Sequence, residues 1–126
     1  MLMVADWAEA IDGKLYVMGG GFTAVSPSSQ SIPYRFALAA IVTVPAGTSH
    51  AIPLSANVED GGGKRLGDWE LSGQINLPVG SGREESAVIA GPVEVVCPPS
   101  GEVVVRMRFG AAERSVAFRI VPQPVP

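Results

Sequence analysis

The chain has 126 residues, 47% hydrophobic and only 17% charged, with a formal net charge of -3 and a pI near 5.0. That length makes one domain, residues 1–126, able to bury roughly two-thirds of its unfolded surface, and the thin charge leaves apolar surface to be wetted or covered. No basic stripe exists to neutralise phosphates, which argues against a nucleic-acid partner, and the single cysteine, Cys97, excludes an intramolecular disulfide and a Cys-rich zinc site.

Met1 to Ala5 reads as a short first strand. It carries no positive n-region, and Asp6 arrives too early for a signal h-region. The longest apolar run, Phe36 to Val42, falls far short of the roughly 20 residues that span a bilayer. The expectation is a cytoplasmic protein with no membrane insertion. Asp6-Trp-Ala-Glu-Ala-Ile is the only helical candidate, too short to stand alone and stopped by the turn dipeptide Asp12-Gly13. Lys14 to Met18 and Phe22 to Val25 follow as strands on either side of Gly19-Gly20-Gly21. A glycine run invites a phosphate-loop reading, but such loops open a helix and none follows, so a bulge or tight turn is expected.

After a polar loop from Ser26 to Pro33, Tyr34 to Val44 is apolar on both faces: Phe36, Leu38, Ala40 and Val42 on one, Ala37, Ala39 and Ile41 on the other. A strand of this kind is covered on both sides. A loop, the N-terminal segment or a second subunit must supply the second cover. Ile52, Leu54, Ala56 and Val58 alternate with polar partners, and Pro53 points to an edge strand or a later start. Asp60 to Asp68 is a polar loop. Trp69, Leu71, Ile75 and Leu77 alternate next, with Gly73 as a bulge or close approach. Ala87 to Cys97 adds a strand kinked at Gly91-Pro92. Val103 to Phe109 and Val116 to Ile120 alternate clearly around Gly110-Ala-Ala-Glu113 and make a β-hairpin. Pro122, Pro124 and Pro126 end pairing. The sum is an all-β, single-domain antiparallel β-sandwich of about eight strands.

No constellation for catalysis stands out, and no cofactor is implied. Gly61-Gly-Gly-Lys64-Arg65 lacks Walker spacing and reads as a solvated loop. Asp6, Asp12, Glu59, Asp60 and Asp68 lie near strand ends, where calcium-binding β-domains gather oxygen ligands. No Asp-x-Asp spacing concentrates them, and turn chemistry accounts for the same residues. Asp6, Asp12, Asp60 and Asp68 are the weak metal candidates. His50 is the lone histidine and no Gly-x-Ser-x-Gly elbow accompanies it; Cys97 reads as a buried strand end. The carboxylates of Glu84 and Glu85 point apart. Trp7 and Trp69 read first as core, with Trp7, beside Asp6 and Glu9, alternatively an interface anchor.

Ala5-Asp6-Trp7-Ala8-Glu9, then Asp12-Gly13-Lys14-Leu15-Tyr16-Val17-Met18-Gly19-Gly20-Gly21-Phe22-Thr23, resembles the opening of an uncharacterised bacterial domain family, and His50 to Gly61 resembles a later strand of it. The resemblance implies an immunoglobulin-like or C2-like sandwich and no activity. Function is therefore expected to be that of a non-enzymatic interaction or structural module. Its partner would be a second copy or another protein, met through Trp7, Ala37, Ala39, Ile41 and Val104. The alternative is a small-ligand or calcium-binding module built on the strand-end loops.

Overall fold

A computed structural model describes residues 1–25, 34–44, 51–76, 85–96 and 101–121. These are all β, with no helix among them. The described residues form ten strands: β1 (Leu2–Ala5), β2 (Trp7–Ile11), β3 (Lys14–Met18), β4 (Ala24–Val25), β5 (Tyr34–Val44), β6 (Ala51–Asp60), β7 (Arg65–Asn76), β8 (Glu85–Val95), β9 (Gly101–Phe109) and β10 (Ala112–Ile120). No helix is present that could cross a membrane among the described residues. The strands form a three-stranded sheet ordered β1-β5-β8, a five-stranded sheet ordered β4-β10-β9-β6-β7, and the separate pair β2-β3.

Alternation decides which side chains meet between the two larger sheets. Val4, Phe36, Leu38, Ala40, Val93 and Val95 of the first share one buried cluster with Leu54, Ala56, Val58, Val103, Val105, Met107, Phe118 and Ile120 of the second. No buried side chain among the described residues is polar or charged. The ring of Phe118 meets Phe36 edge-on at 5.2 Å and Phe22 at 5.1 Å, both favoured T-shaped geometries. Phe118 thus ties β10 to β5 and to the segment that leads into β4.

Several expectations change here. The described residues form ten strands where about eight were expected, and Trp7–Ile11, in the only helical candidate, is one of them, paired with β3. Phe22 to Val25 shrinks to the two residues of β4. That strand runs parallel to β10, Arg119 opposite Ala24 and Ile120 opposite Val25, so the pairing is not wholly antiparallel. Parallel neighbours need a long connection, and the rest of the chain provides it. Pro53 does not mark an edge: β6 lies between β9 and β7. A strand residue's N and C=O point to the same side, and the Pro53 carbonyl accepts from the Gly110 N–H. Its nitrogen therefore faces the β9–β10 turn, beyond the last β9 partner, Phe109 opposite Leu54. Gly73 pairs in plain register with Leu54; the irregularity in this strand pair falls between Asn57 and Glu59, where the chain passes Gly67 at φ 73°. Gly91-Pro92 leaves the register of β8 intact, as proline can on the edge strand of a sheet.

Candidate protein interface

The site begins with a two-residue turn. Asp12 (φ 50°) and Gly13 (φ 73°) occupy the left-handed region at the two central positions between Ile11 and Lys14. This sense of turn matches strand twist and closes a tight hairpin. Period two then splits β2 and β3 into two faces. Ala8, Ala10, Leu15 and Val17 form one; Trp7, Glu9, Ile11, Lys14, Tyr16 and Met18 form the other.

The first face turns toward the outer side of the three-stranded sheet, and β2 lies against both β5 and β8. That side presents cross-strand rows: Arg35 opposite Glu94, Ala37 opposite Pro92, Ala39 opposite Ala90, Ile41 opposite Val88, Thr43 opposite Ser86. Arg35 Nε donates to Glu94 Oε2 at 2.6 Å, and the Thr43 and Ser86 hydroxyls lie 3.2 Å apart. A polar row therefore bounds the small apolar stripe at each end. Ala5, Ala37 and Ala39 within it are buried.

The glycine run brings the chain back from the hairpin. Asp6 N–H donates to the Met18 carbonyl at 3.1 Å, and Gly21 N–H donates to the Val4 carbonyl at 2.8 Å. Gly19 holds φ 63°, and a Cβ there would collide with the Asp6 carboxyl; a Cβ on Gly20 would lie 2.9 Å from Met3 Sδ. The run is a close backbone crossing over β1, with no helix after it and no phosphate geometry.

These contacts relocate the expected interface. Ala37 and Ala39 were expected to meet a partner, but the chain's own hairpin covers them. The apolar surface reappears on the outer face of the cover. Trp7 is 44% exposed, Ile11 43%, Tyr16 46% and Met18 65%. Trp7 stands directly opposite Met18 and Tyr16 opposite Glu9. The first reading of Trp7 as core is thus corrected, while Trp69 packs half-buried against the core. Ile41 stays partly exposed at the end of the alanine stripe. Val104 is half-buried on the outer face of the five-stranded sheet, across from Ala117 and Glu59. The five expected interface residues therefore do not make one patch.

Ile11, Tyr16 and Met18 were missed. Their signal is a hairpin apolar on both faces, hidden because Trp7–Ile11, part of the only helical candidate, is not counted among the expected strands.

The acidic candidates stay apart. Asp6 sits at the bend before β2 and Asp12 at its far end, about 17 Å along an extended strand of that length. Asp60 Oδ1 accepts from the N–H groups of Gly62 and Lys64, each at 2.9 Å, and so closes the β6–β7 loop. Asp68 lies in the irregular stretch of β7. No three His, Cys, Asp or Glu side chains gather among the described residues. His50, Cys97 and Glu84 lie outside the described residues.

No protein family, curated protein or solved structure matches the chain.

Proposed function

We propose that the chain is a single-domain β-sandwich of the immunoglobulin-like or C2-like kind. In this reading it works as a non-enzymatic interaction module, and its partner is a second copy of itself. One observation carries this: a hairpin that turns Ala8, Leu15 and Val17, each half-buried, toward its own sheet and displays Trp7, Ile11, Tyr16 and Met18 on the other face. Rigid aromatic and methionine side chains in a cluster are what binding surfaces use.

Charge supports a second copy. The chain carries -3 overall, yet the hairpin's outer face bears one carboxylate, Glu9, and one ammonium, Lys14. A two-fold interface sets a patch against itself, and a neutral patch with one charge of each sign does not repel its copy. Size sets the strength. Two strands of this length make a face about 17 Å by 10 Å, well short of the roughly 800 Å² per partner of a stable complex. The association is of the transient class and dissociates on dilution.

Light scattering over a concentration series tests the reading. The expected result is a weight-average mass that rises from 13.0 kDa with concentration. Trp7→Ala combined with Tyr16→Ala should abolish the rise, and Ile41→Asp, off the hairpin, should leave it. A constant 13.0 kDa at every concentration rejects self-association.

A further inference from the structure

Buried apolar side chains fill the gap between the two larger sheets, and the gap opens at the end where β9 turns into β10. Ala112 pairs with Phe109, so Gly110 and Ala111 are the two central residues of that turn. Gly110 holds φ 58°, the left-handed region that the first central position of a tight hairpin turn takes. Its N–H donates to the Pro53 carbonyl at 3.0 Å, which ties the turn to β6. The core-facing side of β10 then begins with Ala112, a side chain too small to reach across to β5.

Two hollows of about 150 Å³ and 230 Å³ result, and they meet at Thr43, Phe109 and Ala112. Together they make a groove across the end of the sandwich. The buried residues Met107, Val44 and Ile52 line it, with Leu2 and Val42 from the three-stranded sheet.

One residue breaks this apolar lining. Arg114 lies across from Met107, in the same alternation as the core residues Phe118 and Ile120. Arg106, Arg108 and Arg119 belong to the outer face of the same two strands. The Arg114 Nη1 donates to the Glu113 carbonyl at 2.9 Å. No described carboxylate pairs with Arg114, and no Asp or Glu among the described residues lines either hollow. A guanidinium has five N–H donors, so most of them stay available at the mouth of the groove. A charge at a core-facing position runs against the pattern of the strand, and such breaks concentrate where function needs them.

We infer that this groove is a binding site for a medium-chain fatty acid, its aliphatic chain laid along Val42, Phe109 and Ile52 and its carboxylate on Arg114. An apolar lining with one placed polar group is the usual make-up of a small-molecule site. The planar fork of a guanidinium meets both oxygens of a carboxylate, and one positive charge matches one negative charge. Taking roughly 30 Å³ per non-hydrogen atom, the share of a water molecule, the two hollows hold about ten to twelve such atoms, the size of octanoate. The groove is open, so affinity is modest. It lies at the end of the sandwich and the hairpin face lies on its side, so neither reading depends on the other.

Titration of ¹⁵N-labelled protein with octanoate, at constant ionic strength, tests the inference. The readouts are the backbone amides of Thr43, Gly110 and Ala112 and the Nε–Hε signal of Arg114. Saturating shifts are expected there with octanoate. None are expected with acetate, which lacks the chain, or with octylammonium, which carries the opposite charge. Arg114→Gln should weaken octanoate binding by about fivefold with the melting temperature of the free protein unchanged. Ala112→Phe, which fills the groove, should abolish it. Equal binding of octylammonium overturns the carboxylate assignment, and shifts that do not saturate, or that stay confined to the β2–β3 hairpin, overturn the site. Undiminished binding by Arg114→Gln also overturns it, leaving Arg114 as an inward charge that guards the open edge of β10.

Discussion

Arg106 shows how one residue organises a surface. Its hydrogen bond to Glu113, and the charge of Glu59 behind it, raise its pKa further above an already high value. The same hydrogen bond, aided by the charge of Arg108, holds the Glu113 carboxyl below its ordinary range against the opposing effect of desolvation. A carboxylate with a depressed folded-state pKa adds stability that is present above its unfolded value. That stability is lost as pH falls through the folded value. Arg106 stays charged throughout that window, so the acid side alone reports the contact. Thermal unfolding from neutral pH to about pH 3 should therefore cost the native protein more than Arg106→Gln, in which Arg108 alone is left to hold the Glu113 carboxyl down. Equal losses in the two proteins would mean that the contact is absent in solution. Glu113 is exposed and Arg106 only half-buried, so the difference is expected to be small.

At the scale of elements, the hairpin and its glycine crossing carry the argument. Gly13 and Gly19 both hold positive φ, but a Cβ on Gly13 meets nothing within 4 Å, whereas one on Gly19 meets Asp6. Gly13→Ala should cost about 1–2 kcal/mol, the left-handed penalty alone. Gly19→Ala should cost clearly more, as chemical denaturation would measure; a smaller loss at Gly19 would refute the crossing as drawn. The sequence showed much of this element and hid one part. Asp12-Gly13 announced the turn, and the two apolar faces of Tyr34 to Val44 announced that something lay outside β5. Alternation does not say what covers a face, so the cover stayed open. Trp7–Ile11 misled because alanine and glutamate favour helix in isolation, while pairing with β3 and packing on the alanine stripe override propensity in five residues. Pro53 misled for a related reason. Proline forbids one donor on one side, and the pattern does not say which neighbour lies there. The alternation of Val103 to Phe109 with Val116 to Ile120 was fully legible, because both strands bury one face only. The gathering of Arg65 and Glu70 beside Arg106 and Arg108 was not, since it comes about through strand order, which period two leaves free.

For the whole molecule, the two larger sheets are one cooperative unit only if the contacts between them are strong. Phe118 is the side chain that tests this, because it is fully buried and touches rings from β5 and from the segment before β4. Phe118→Ala should cost about 3–5 kcal/mol, the usual range for a large core truncation. It should lower the midpoints seen by fluorescence and by circular dichroism together; two separated transitions would show that the sheets melt independently. With no polar side chain among the described buried residues, shape alone specifies how this core assembles.

The parallel contact between β4 and β10 has a consequence in time. Ala24 and Val25 are synthesised early, yet their strand partners among the described residues are Arg119 and Ile120, some 95 positions later along the chain. During translation Ala24 and Val25 must wait, unpaired along that edge, until β10 has left the ribosome. Closing a loop of that span precedes any reward from it, which places this protein among slow, non-local folders in the millisecond-to-second range. The β2–β3 hairpin, by contrast, closes locally within microseconds and displays apolar side chains on both faces until β5 and β8 arrive. A nascent chain of this protein is thus stickiest in its first half, before the surface that receives the hairpin exists.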